Sequence, residues 1–141
     1  MINCKIGGVK FIKIKSHNDK RGFFREIFRL DDDYNEGIKF KQISHSKIDK
    51  NVHKGWHFHK KQYQWNYLLS GKIKLYLLDN RIKSVTYKKV FTKTLDSKSR
   101  ILYLFPPHIG HAYKTLSKEN HMIYATSGYY KVDEEYKLTF K

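Results

Sequence analysis

The sequence predicts an all-β sandwich or barrel, on three observations. Short runs that alternate polar and apolar residues recur along the chain, each bounded by turn residues. Aromatic residues make up 16% of the chain, with tyrosine and phenylalanine dominating, a mix that suits pleated, half-buried surfaces. No stretch carries the apolar spacing of a long amphipathic helix.

The elements follow in order. Lys10–Lys15 (KFIKIK) alternates and reads as a strand, and His17–Gly22 as a loop. Phe23–Leu30 (FFREIFRL) reads as a second strand, with a helical turn as the alternative, and Asp31–Gly37 as an acidic, turn-rich connection. Ile38–Ser46 alternates and is a strand; Lys47–Val52 is a loop. The stretch Lys54–Gly71 carries strands that meet in a hairpin at the turn signal Ser70-Gly71, and Lys72–Leu78 alternates again. Asp79–Ser84 turns, Val85–Leu95 is a strand with β-branched content, and Asp96–Arg100 turns. Ile101–Phe105 (ILYLF) is continuously apolar, as a buried strand is, and Pro106-Pro107 ends it. Gly110–Leu116 and His121–Ser127 are two further strands.

Length and composition bound the function. A chain of 141 residues fits one domain spanning 1–141. One cysteine, Cys4, excludes an internal disulfide framework and fits a reducing compartment. No apolar run approaches ~20 residues and the N-terminus lacks a signal-peptide core, so a cytoplasmic protein without a membrane partner is expected. The net charge is +16, but the lysines are spread along the whole chain. Compositional bias is the leading account of that charge, followed by an anionic, phosphorylated substrate drawn in by a positive field, ahead of nucleic acid.

The chemistry concentrates in Lys54–Gly71 (KGWHFHKKQYQWNYLLSG). His57 and His59 are two apart, so on a strand both imidazoles face the same way. Gln64 follows. The residues alone leave two readings open: a site, or an exposed edge strand that carries two polar histidines. His17, His45, His53, His108 and His121 are read as structural or exposed, and Cys4 is given no role.

Set beside Pro107–His111 (P-x-x-G-H), this stretch resembles the two motifs of the cupin superfamily, which implies a double-stranded β-helix, or jelly roll, with both motifs meeting inside. A more specific resemblance covers most of the chain. Asp19–Glu26 is similar to the D-x-R-G-x-F-x-E signature of the dTDP-4-dehydrorhamnose 3,5-epimerase family. Phe40-Lys41-Gln42 with Ser44 and Ser46, Lys54-Gly55-Trp56-His57 and Asp79-Asn80-Arg81 with Ser84 and Thr86-Tyr87 follow that family's blocks in order. So do Gly110-His111-Ala112-Tyr113, against its G-H-[AG]-F, and Tyr124 with Tyr130. The central block also resembles the nucleotide-sugar 3,4-ketoisomerases at His57, His59 and Gln64.

The resemblance implies an isomerase of surface-polysaccharide sugar synthesis that acts on a nucleotide-linked 4-keto-6-deoxy sugar. His57 would be the base, Tyr124 the opposing acid and His59 an assisting imidazole. His111 and Tyr130 would line the sugar pocket beside Gln64. Arg21, Gln42 and Lys54 would meet the diphosphate, and Phe24 would stack on the nucleobase with Glu26 nearby, in the family often across a dimer interface. A homodimer without metal or other cofactor is implied. Three departures stand out: the family's lysine near the ketone falls at Gln64, an aspartate falls at Leu75, and the carboxylate that pairs with the catalytic histidine lies in a C-terminal extension beyond Lys141. They favour epimerisation at a single carbon, or ketone migration, over double epimerisation. Two alternatives stay open: a 3,4-ketoisomerase, and a metal- or sugar-binding cupin without turnover, with His57, His59, Gln64 and His111 as ligands.

Overall fold

Two five-stranded antiparallel sheets face each other in the computed structural model, which describes residues 2–129 and 135–137. The strands are β1 (Lys10–Lys13), β2 (His17–Asp19), β3 (Gly22–Phe24), β4 (Gln42–Asp49), β5 (His53–His59), β6 (Gln64–Ser70), β7 (Lys72–Asp79), β8 (Val90–Asp96), β9 (Ile101–Phe105), β10 (Ile109–Thr115), β11 (Glu119–Thr126) and β12 (Glu135–Lys137). Sheet I runs β1-β9-β6-β11-β4 and sheet II runs β12-β5-β10-β7-β8; β2 and β3 form a separate hairpin. From β4 to β7 and from β8 to β12 the chain changes sheet at every connection. That alternation is the jelly roll, and the expected all-β fold class holds.

Several local expectations are corrected. Ser70-Gly71 is not a hairpin turn, since β6 belongs to sheet I and β7 to sheet II. Gly71 turns the chain between sheets at φ 99°, where an added Cβ would stand 2.3 Å from Asn120 Oδ1. The expected strand Phe23–Leu30 stops at Phe24. Its apolar residues Ile27 and Phe28 instead cover the outside of sheet I, where Phe28 stacks on Trp65 with ring centroids 5.9 Å apart. The expected loop His17–Gly22 supplies β2 and the turn of the small hairpin. The strand expected at Val85 begins at Val90, and the reason is Asp79. Its fully buried carboxylate accepts hydrogen bonds from Arg81 Nε at 2.8 Å, from Ser84 Oγ at 2.6 Å and from Thr86 Oγ1, which holds residues 80–89 as a compact loop. Burial alone would push that carboxyl up; Arg81, Ser84 and Thr86 together hold it well below the usual carboxylate range.

Apolar residues pack on both sides of sheet I. Between the sheets lie Leu68, Ile73, Leu75, Leu77, Tyr103, Phe105 and Met122. Outside sheet I, Trp65, Tyr67, Leu102 and Leu104 pack under residues 27–40. Strand β9 is therefore covered on both faces, which explains why it reads as a continuous apolar run.

Candidate active site

One end of the space between the sheets is a cavity of about 490 Å³, a size that suits a small ligand. Sheet I contributes Gln42, Ser44 and Ser46 from β4, Gln64 and Asn66 from β6, and Met122, Tyr124 and Thr126 from β11. Each set is spaced by two residues, so each strand turns one face inward. Sheet II contributes Lys54, Gly55, His57 and His59 from β5 and His111, Ala112 and Tyr113 from β10. His59, Gln64 and Asn66 are buried, whereas Lys54 is exposed at the rim.

Lys54 and His57 line the same wall although they are three residues apart. A β-bulge makes this possible. His57 pairs with His111 and Gly55 with Ala112, so Trp56 is an extra residue that resets the alternation. Gly55 permits the close crossing: its φ is 102°, and an added Cβ would stand 2.6 Å from the His111 carbonyl oxygen.

Three imidazoles meet on this wall. The His111 ring lies 5.5 Å from that of His59 and 6.4 Å from that of His57, centroid to centroid, with Phe105 behind it at 4.8 Å. His111 Nδ1 lies 3.2 Å from the Ile109 carbonyl oxygen. A carbonyl only accepts, so Nδ1 carries the proton and Nε2 keeps a lone pair. Burial, then the neighbouring His59 and, more weakly, His57, hold the His111 pKa down to about 3. His111 is thus a neutral ring at physiological pH. On the facing wall, Gln64 Nε2 donates to Asn66 Oδ1 at 2.6 Å and Gln42 Nε2 to Ser44 Oγ at 3.1 Å. Burial and the neighbouring Tyr124 push the Tyr113 phenol up to about 12. Among the described residues, no three His, Cys, Asp or Glu side chains are arranged to hold a metal ion.

The structure therefore brings His57, His59, His111, Gln64, Gln42, Lys54 and Tyr124 to one cavity. Arg21, Phe24 and Glu26 do not line it. Phe24 is 62% exposed on the β2–β3 hairpin, Arg21 pairs with Asp19 at 2.7 Å, and Glu26 pairs with Arg29 at 2.7 Å. Tyr130 lies outside the described residues. Leu75, at the aspartate departure, is buried in the core between the sheets. Sequence reading missed Gln62, Asn66, Tyr113 and Thr126 as lining residues. The two-residue spacing Gln64-Asn66 and Tyr124-Thr126 was a usable signal; Gln62 sits in a connection and had none.

A jelly roll whose interior holds imidazoles on one wall and a phenol on the other is a cupin-type scaffold equipped for proton transfer. The family model described as dTDP-4-dehydrorhamnose 3,5-epimerase matches residues 3–141. The spore coat polysaccharide biosynthesis protein SpsL of Bacillus subtilis is 34% identical over 130 residues, covering 92% of this chain and 85% of the relative. The dTDP-4-dehydrorhamnose 3,5-epimerase of Shigella flexneri is 27% identical over 141 residues, covering 96% and 78%. The crystal structure of RmlC from Legionella pneumophila, in complex with dTDP-4-keto-L-rhamnose, superposes with a TM-score of 0.90 at 26% identity, covering 99% of this chain and 77% of that one. The chain belongs to the dTDP-4-dehydrorhamnose 3,5-epimerase family, a family of isomerases.

Proposed function

We propose that this protein epimerises a nucleotide-linked 4-keto-6-deoxy sugar at C3, C5 or both, in the synthesis of a surface polysaccharide. The observation that carries this reading is the placement of His57 on sheet II and Tyr124 on sheet I, lining one cavity. A 4-keto group acidifies the C–H bonds at C3 and C5. Epimerisation needs a base on one face of the ring and an acid on the other, and a sugar seated between the sheets would present its two faces to these two side chains. His57 takes the proton and Tyr124 returns one to the opposite face. Neutral His111 offers Nε2 as an acceptor beside His57. Lys54 at the rim and Gln42 across from it suit the diphosphate oxygens. Arg21 and Phe24 on the exposed hairpin, with Glu26 just after it, would serve the nucleotide of a neighbouring subunit in a homodimer.

Ketone migration is a second reading, favoured by His59 and Gln64 lining the same cavity as His57. Proton NMR of the protein with dTDP-4-keto-6-deoxyglucose in D2O separates the two. Deuterium entering C3 or C5, abolished by His57→Ala, supports enolisation. The product spectrum then identifies an epimer or a 3-keto isomer. No exchange with dTDP-, GDP- or UDP-linked 4-keto sugars would sink both readings.

A further inference from the structure

A second pair of imidazoles sits outside the cavity, on the outer face of sheet I, where β4 forms the edge beside β11. His45 pairs in register with Ile123 and Lys47 with His121, so the two histidines are diagonal neighbours on one face. The alternation that turns Ser44, Ser46, Met122 and Tyr124 into the cavity turns His45 and His121 away from it. His45 Nε2 and His121 Nδ1 face each other across 2.8 Å, with ring centroids 5.1 Å apart. The other nitrogen of His121, Nε2, lies 3.7 Å from Glu119 Oε1, and Glu119 also pairs with Lys47 at 3.4 Å. His45 is exposed and His121 half-buried, so the pair is open to solvent. Taken singly, both are ordinary surface histidines; the strand pairing is what joins them.

We propose that His45 and His121 chelate a divalent transition ion of the zinc, copper and nickel group between β4 and β11. The proposal is independent of the nucleotide-sugar reading above. In the neutral pair one of the two facing nitrogens carries a proton and the other presents its lone pair to it. The ion takes the place of that proton, which passes to water, and both lone pairs then point at the ion. Nitrogen–metal distances of about 2.0–2.1 Å at a tetrahedral angle set two ligand nitrogens about 3.3 Å apart, so the rings need to separate by only about 0.5 Å. Imidazole is a favoured ligand of these ions. The Glu119 carboxylate stands beyond the nitrogen that does not face the ion, where a carboxylate supports a ligating histidine. Among the described residues no third His, Cys, Asp or Glu completes the set. Water therefore fills the remaining positions, which the exposure of His45 permits, and the ion is an exchangeable one. It would tie the edge strand β4, whose inner face carries Gln42, Ser44 and Ser46, to the strand that carries Tyr124.

Nitrogen NMR of the imidazole side chains, with the full chain titrated with zinc sulfate, tests this. It reads each histidine separately and so distinguishes this pair from His57, His59 and His111 in the cavity. In wild type the His45 and His121 signals are expected to move together and to saturate at one zinc ion. His45→Gln and His121→Gln each remove one ligand while keeping a hydrogen-bonding side chain on the outer face. In either variant the remaining histidine should need at least about tenfold more zinc, the loss expected when a two-point contact becomes a single one. A remaining histidine that takes up zinc as readily as in wild type overturns the proposal, because the two rings would then be independent ligands. Zinc that moves only the signals of the cavity imidazoles overturns it as well, and so does a wild type whose His45 and His121 signals stay in place throughout the titration.

Discussion

Strands β4, β6 and β11 each run from one environment into another without changing the face they turn inward. On β4 the inward residues are Gln42, Ser44 and Ser46 at the cavity and then Ile48 in the core. On β6 they are Gln64 and Asn66, then Leu68. The two ends of the interior also treat polar groups differently. At the closed end, buried polar side chains are consumed by the backbone. Asn120 accepts from Lys72 N–H at 3.0 Å and donates to the Ile48 and Ser117 carbonyls at 3.1 and 2.8 Å. Thr115 Oγ1 accepts from Val52 N–H at 2.9 Å and donates to the Asp49 carbonyl. At the cavity end, the side chains of His57, His59, His111, Gln64, Tyr113 and Tyr124 line the cavity. One end is built to close turns and the other to receive a ligand, on the same strands and with the same pleat.

That contrast is open to direct attack. The largest expected effect is at the cavity: His57→Gln should lower turnover by about 10³-fold, in line with the loss of a positioned general base, while the melting temperature stays within a few degrees. Steady-state kinetics beside a thermal melt reads both. A large fall in stability instead would make His57 a structural residue and erase the distinction. The next effect belongs to the closed end. Asn120→Ala removes three hydrogen bonds to backbone groups and should cost about 3 kcal/mol of stability, measured by chemical denaturation, with kcat per folded molecule unchanged.

The sequence showed this contrast only in part, for physical reasons. Alternation was strong where one face of a strand is wet, so β7 and β10 were legible to within a residue, and the two-residue spacing of His57 and His59 pointed to one wall. Lys54 was legible as a site residue through its family match alone. Period-two reasoning places it opposite His57, and only the bulge at Trp56 restores it. The late start of β8 was hidden because the Asp79 network is built from side chains that look, in sequence, like any polar loop followed by β-branched residues. The change of sheet at Gly71 was hidden because a tight turn and a corner share the same residue. Gln62 was hidden because nothing in a polar connection indicates that the connection folds inward.

A third effect concerns His111, which sits between the two environments with Phe105 on one side and His59 on the other. Its folded pKa of about 3 lies below the unfolded value of about 6.5. Between those values the unfolded chain binds the extra proton, so stability falls as pH drops from neutrality through about 3. A loss of about 1–2 kcal/mol between pH 7 and pH 5 is expected from this group. Denaturation midpoints measured across that range should decline less steeply in His111→Phe than in wild type. Equal slopes would mean that His111 titrates normally and that its wall is wetter than its packing implies.

The smallest effect is expected at Tyr113, one of two phenols that share the cavity. Tyr113 and Tyr124 line the same space, yet the family pattern carries phenylalanine at the first position and tyrosine at the second. Tyr113 packs against the apolar core and keeps its proton up to about 12, which makes it a poor donor for returning a proton near neutral pH. Tyr113→Phe should therefore change kcat/KM by no more than about threefold, within the worth of one neutral hydrogen bond, and leave the alkaline limb of the pH profile in place. Tyr124→Phe should cost at least about 10²-fold, as loss of a general acid does. The reverse ranking would move the acid from sheet I to β10, on the same sheet as His57. Base and acid would then share one wall, and a sugar held between the sheets would be protonated on the face from which it lost its proton. That outcome would exclude epimerisation by two opposed groups and favour ketone migration, so the comparison of two single-atom deletions bears on the stereochemistry of the reaction as well as on the identity of the acid.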